Sequence, residues 1–191
     1  VVAIACPTGG TTAPHGCVVQ SDGTARCWGP STYGETGSGV LSSTLNGAKA
    51  VTQAFNESLE AMVSLSARSD HTCGAAASGA VYCWGRNFNQ SHMGHDDLEE
   101  VAHAVAVPGV EQVAGVSAGL YHTCAWRYDG TATCWGGNVH GQAGLGSLGG
   151  VSHLPVQVLG LDAVTPAQIA TGGGHRCVRT TDGHARCWGA N

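Results

Sequence analysis

Lysine is almost absent from this chain: Lys49 is the single one in 191 residues, Lys and Arg together number 8, and the formal net charge is −5. So few cations leave little to hold a phosphate backbone, and nucleic acid is not an expected partner. No stretch approaches the ~20 consecutive apolar residues of a membrane-spanning helix, so no membrane span is expected. A basic leader followed by a long apolar stretch is also missing; VVAIAC is too short for a signal peptide, although it fits the edge of one already removed. No two cysteines stand in the Cys-x2-Cys spacing of zinc clusters. Serine, histidine and carboxylate nowhere fall into a triad context, so the expectation is a protein without catalytic residues or a resident cofactor, and a small-molecule ligand is not expected.

What the chain does have is glycine, 30 residues of it, nine cysteines, and one phrase used four times. The phrase is clearest in HTCAWRYDGTATCWG, from His122 to Gly136, and it returns as HGCVVQSDGTARCWG from His15, HTCGAAASGAVYCWG from His71 and HRCVRTTDGHARCWG from His175. Its tryptophans, Trp28, Trp84, Trp135 and Trp188, recur at the spacing of a propeller blade rather than a helical hairpin. Alternating flanks around Asp129-Gly130 predict two strands joined by a tight turn. With Tyr128, Asp129 and Gly130 as a three-residue loop and Gly130 at positive φ, Arg127 faces Thr131, and three steps further out Cys124 faces Cys134. The same count sets Cys17 opposite Cys27, Cys73 opposite Cys83 and Cys177 opposite Cys187. Directly opposed residues of an antiparallel pair lie within disulfide reach, so four cross-strand disulfides are predicted, each worth about 2.5 to 3 kcal/mol in the chain-entropy account. Disulfides at this density point to an oxidising compartment, hence to a secreted or cell-surface protein.

The unit resembles the repeat of the regulator of chromosome condensation family in a cysteine-containing, extracellular form. Residues 137–189 carry the resemblance best, with GNVHGQAGLG, Pro155, IATGGGHRC and DGHARCWG in the family's order; residues 86–136 match from Val113 onward, and 30–85 mainly near the end. The resemblance implies an all-β fold, a β-propeller or part of one, with four-stranded blades. The family's propellers usually have seven blades, whereas about four repeat units are present here as one domain: 1–29 as a partial unit, then 30–85, 86–136 and 137–191. The exchange activity of the family's nuclear members is not carried over. The Gly-Trp-Arg-His-Thr motif of a light-sensing branch is replaced by Gly119-Leu120-Tyr121-His122-Thr123.

Outside the repeat, five features carry candidate chemistry. Cys6 is left over after eight cysteines pair, and an odd cysteine reads as an intermolecular bridge, a buried small hydrophobe or a lipid-attachment point. The stretch SHMGHDDLEEVAH offers His92, His95 and Asp96 as ligands of a divalent cation, with His140 from the next repeat as a further one; the alternative is a solvated acidic loop. Asn56-Glu57-Ser58 and Asn89-Gln90-Ser91 are glycosylation sequons. The polar stretch from Ser42 to Asn56 has few turn residues and is expected to form a short helix. Trp126 lies outside the repeat pattern and is free to serve a surface. The histidines His15, His71, His122 and His175 are expected to hold neighbouring segments by ring hydrogen bonds, once per blade. Together these features suggest a secreted, disulfide-stapled scaffold for protein–protein interaction or extracellular assembly, with a protein partner or self-association. The alternatives are a monomeric inhibitor or adhesin, like the family's secreted β-lactamase inhibitors, and a metal-dependent enzyme.

Overall fold

The computed structural model describes residues 3–6, 15–43, 47–53, 58–88, 92–161 and 166–190. Its strands form four antiparallel sheets, each following chain order from one edge to the other. The first blade holds β1 (Ala3–Ala5), β2 (Gly16–Val19), β3 (Ala25–Trp28) and β4 (Lys49–Ala50). The second holds β5 (Met62–Arg68), β6 (His71–Ala76), β7 (Val81–Arg86) and β8 (Glu100–Ala106). The third is β9 (Val113–Ala118), β10 (His122–Arg127), β11 (Ala132–Gly137) and β12 (Val151–Gln157), and the fourth is β13 (Pro166–Thr171), β14 (His175–Thr180) and β15 (Ala185–Gly189). This is an all-β, four-bladed propeller arrangement in which the first strand of the second, third and fourth blades packs on the blade before it.

The repeated phrase builds the middle of every blade. Gly130 has a φ of 87°, the Gly130 amide donates to the Arg127 carbonyl, and the register runs through Cys124 opposite Cys134. Gly23, Gly79 and Gly183 take the same left-handed conformation at the same point of their turns, which only glycine adopts without steric cost. Four disulfides follow: Cys17–Cys27, Cys73–Cys83, Cys124–Cys134 and Cys177–Cys187, each with Cα atoms 4.1 Å apart. The glycine closing each Cys-Trp-Gly is fixed for a second reason. At Gly136, with φ 103°, a Cβ would lie 2.5 Å from the carbonyl oxygen of Tyr121, the residue just before the neighbouring strand β10.

Between blades the core is built from one blade's disulfide face and the next blade's apolar face. Cys124 and Cys134 pack with Ile169 and Val178, with Trp188 against them; Cys17 and Cys27 share a cluster with Leu65, Ala67 and Trp84. Trp84 and Trp135 are wholly buried in the first and second of these interfaces. The pattern ends at the fourth blade. Cys177 is half-buried and Cys187 exposed, and their neighbours on that face, Gln168, Ala170, Arg179 and Ala185, are exposed too. At the other end of the row, the face of the first blade that carries Trp28 shows exposed Ile4 and Arg26 beside half-buried Val18.

Two expectations are corrected here. The segment from Ser42 to Asn56 is no helix among its described residues: Lys49 and Ala50 pair with Cys27 and Arg26 as the outer strand of the first blade, and Ser42 bridges to Ser31. The open edge of β3 offers unpaired backbone groups, and satisfying them outweighs the weak local helix preference. Trp126 is no free surface residue. Gly115 opposite it opens a slot, and the indole lies across that slot, half-buried against the third core cluster. The sequon positions Asn56, Glu57, Asn89, Gln90 and Ser91 lie outside the described residues.

Candidate functional site

The histidines of the repeat meet the next blade at one end of the propeller, and two junctions share one wiring. His15 Nε2 lies 2.8 Å from Thr72 Oγ1, and His71 Nε2 lies 3.1 Å from Thr123 Oγ1. Each threonine hydroxyl has a single proton and donates it to a loop carbonyl, Thr72 to Glu35 and Thr123 to His92. The histidine must therefore be the donor at Nε2, and in the neutral ring that burial favours Nδ1 carries no proton. The repeat tryptophans complete the pattern: Trp84 Nε1 donates to the Glu35 carbonyl at 2.9 Å and Trp135 Nε1 to the His92 carbonyl at 2.8 Å. Burial accounts for the protonation state. It pushes His15 down to about 4 against a smaller opposing pull from Asp70, pushes His92 down to about 4, and pushes His71 well below its ordinary value.

The third junction breaks the pattern. Arg176 pairs with Trp188 across the strands as Thr72 pairs with Trp84 and Thr123 with Trp135, so a guanidinium faces His122 where the other junctions have a hydroxyl. Arg176 is 0% exposed. Burial lowers Arg176 to about 9 and His122 to about 2, with the Arg176 charge second among the causes at His122.

A surface cluster lies beside the second junction. The Arg86 guanidinium stacks over the rings of Tyr33, at 4.4 Å, and Phe88, at 4.9 Å. Phe88 lies 6.4 Å from Tyr121, and both cover His92. Phe88 and Tyr121 are 44% and 49% exposed. Arg86 is further held by Asp70 at 3.5 Å. Near the propeller axis, β5, β9 and β13 with Cys6 and Trp126 line a cavity of about 540 Å³. It is braced by Ser66 accepting from the Ala118 amide and by the Ser117–Thr171 hydroxyl pair at 2.9 Å.

The proposed metal ligands are not gathered into one set. His92 is buried with its ring against His71 and Tyr121, His95 Nε2 lies 2.8 Å from the Ala106 carbonyl, Asp96 is exposed, and His140 lies one junction away beside Gly174. Among the described residues no three histidine, cysteine, aspartate or glutamate side chains converge. Cys6 is a free, exposed thiol. The Arg176 substitution and the Arg86 cluster were missed in the sequence, although aligning the four phrases shows Gly16, Thr72, Thr123 and Arg176 at one position.

Four sheets built from one repeated, disulfide-stapled unit define a repeat β-propeller. The repeat model described as "Regulator of chromosome condensation (RCC1) repeat" matches residues 63–90, 113–142 and 167–191, and the chain belongs to that repeat family. It is 29% identical over 188 residues to the mitochondrial RCC1 domain-containing protein RUG3 and 30% identical over 179 residues to the ultraviolet-B receptor UVR8, both from Arabidopsis thaliana. These alignments cover 92% and 93% of the chain but 40% and 39% of the relatives. Among solved structures, human WBSCR16 superposes with a TM-score of 0.79 at 18% identity, covering 100% of the chain and 48% of that structure. Prp20p from Saccharomyces cerevisiae, whose structure was described together with its binding to Gsp1p and histones, gives 0.74 at 22%, covering 92% and 41%. The chain thus spans less than half the length of these proteins, and the structural likeness speaks to fold alone.

Proposed function

We propose that this chain is a disulfide-stapled scaffold for protein–protein interaction that works in an oxidising, extracellular setting and assembles through its blade faces. The observation that carries the reading is the exposed disulfide face of the fourth blade. In the first three blades the equivalent face is covered by the next blade, and the three disulfides there are fully buried. The complementary surface is present at the other end, where Trp28 occupies the position from which Trp84, Trp135 and Trp188 reach the preceding blade. A further blade packed on Cys177–Cys187 would repeat the internal interface, supplied by a following stretch of the same polypeptide or by the Trp28 face of a second copy docked head to tail; the reading proposed is the second copy. Disulfide density supports the setting, and among the described residues no helix is long and apolar enough to cross a membrane.

The reading is tested by two substitutions on opposite faces. Ala170→Arg plants a charge in the exposed fourth face, and Trp28→Ala removes the anchor. Each is expected to reduce the sedimentation coefficient to that of a monomer while the far-ultraviolet spectrum is unchanged; self-association that survives both overturns it. The Arg86, Tyr33, Phe88 and Tyr121 cluster favours the second reading, a monomeric inhibitor or adhesin, because arginine and aromatic side chains dominate binding hot spots.

A further inference from the structure

The third blade junction has more buried polarity than its partners satisfy. Arg176 Nε, Nη1 and Nη2, His122 Nδ1 and Nε2, and Trp188 Nε1 are all buried without a hydrogen-bond partner among the described residues. In the two neighbouring junctions the same positions are wired to a loop carbonyl through threonine and tryptophan. The corresponding loop of the third junction has Gln142 where the first has Glu35, and both make the same internal bond, to the amides of His140 and Tyr33. The loop itself is therefore conserved in shape between the two junctions, yet its carbonyl receives neither Arg176 nor Trp188.

Charge points the same way. The ionisable groups acting on His122 are Arg176, His92, Arg68 and His175, all of them cationic or cation-forming. Arg68 Nε is likewise buried without a partner. A guanidinium taken out of water costs several kcal/mol unless a counter-charge and hydrogen bonds replace the lost hydration. Trp188 connects the junction to the surface: its ring lies 6.0 Å from the Arg176 guanidinium carbon and forms a wall of a cleft of about 630 Å³ that also includes His140, Gly144 and Leu159.

We propose that this junction is a binding site for a small oxyanion, a phosphate, sulfate or carboxylate group, held by Arg176 with His122 and Trp188. The guanidinium fork matches two oxygens of such a group side by side. The Trp188 indole N–H and one N–H of neutral His122 serve the remaining lone pairs, and the cleft beside Trp188 gives access. In the other two junctions threonine and the loop carbonyl satisfy the histidine Nε2, the threonine hydroxyl and the tryptophan Nε1, leaving only the Nδ1 acceptors of His15 and His71 without a partner among the described residues, so unsatisfied donors gather at the third junction.

The test compares wild type with Arg176→Thr, which installs the residue used by the neighbouring junctions, in thermal unfolding against inorganic phosphate at constant ionic strength. Once phosphate exceeds its dissociation constant, each tenfold increase is expected to raise the wild-type folding equilibrium constant about tenfold. Arg176→Thr is expected to show only the general effect of an excluded salt. Titration calorimetry of wild type with phosphate, sulfate, acetate and chloride is expected to give saturable heats for the oxyanions and a weaker response to chloride. Parallel salt dependence in the two proteins, or heats that never saturate, would overturn the proposal. Should Arg176→Thr fail to fold, Arg176→Gln and the wild-type calorimetry decide between the same two outcomes.

Discussion

Acid should loosen the junctions between blades well before it titrates most carboxylates. His15 and His92 are held at about 4 in the folded protein, against roughly 6.5 in an unfolded chain. A base with a depressed folded value binds fewer protons folded than unfolded, so its contribution to stability is complete above about pH 6.5 and is lost as pH falls toward about 4. Integrating that difference from about pH 7 to about pH 5 gives a loss of about 2 kcal/mol per histidine, about 4 for these two. His71 and His122, pushed down further by burial, act in the same direction. Glu35 opposes them: burial raises its carboxyl, so protonation on acidification favours the fold at that one group. The assay is urea unfolding followed by tryptophan fluorescence at a series of pH values. His15→Gln keeps a neutral donor toward Thr72 and removes one titration, so near pH 5.5 it should flatten the slope by about 1 kcal/mol per pH unit. A stability independent of pH over that window, or an unchanged slope in His15→Gln, would refute the reasoning.

Trp135 is fully buried and donates to the His92 carbonyl, so Trp135→Ala should cost about 3 to 5 kcal/mol in chemical denaturation; a loss under about 1 kcal/mol would mean the junction is not packed as described. Limited reduction followed by alkylation and mass spectrometry should label Cys6 without reductant and open Cys177–Cys187 before the three buried bridges, since access governs thiol–disulfide exchange. Simultaneous reduction of all four bridges would contradict the uneven burial of the blades.

The hairpins and bridges were legible because their information is local. A turn fixed by Gly130 sets the register of its two strands, and the register decides that Cys124 meets Cys134; nothing distant is needed. The outer strand of the first blade was hidden because Lys49 and Ala50 are extended by an edge they pair with, not by their own preference. Trp126 misled for a similar reason: what receives its ring is Gly115 on the neighbouring strand, and that slot exists only once β9 and β10 are side by side. Tyr33, Arg86, Phe88 and Tyr121 come from three different blades, and only blade packing makes them one surface. Arg176 is a different case. Its signal stood in the comparison of four phrases, where an arginine replaces threonine at an inward-facing position, and its meaning emerged only from the wiring of the other two junctions.

The central claim, a scaffold that associates through its two uncovered blade faces, is tested most directly by the mass of the purified protein measured by light scattering on a sizing column, with and without reductant. The account predicts a species heavier than the 19.3 kDa chain that persists in mild reductant, because blade packing and not Cys6 holds it. A species at the chain mass under both conditions would contradict assembly and leave the monomeric binder, and an assembly lost on mild reduction would shift its origin from the blade faces to Cys6.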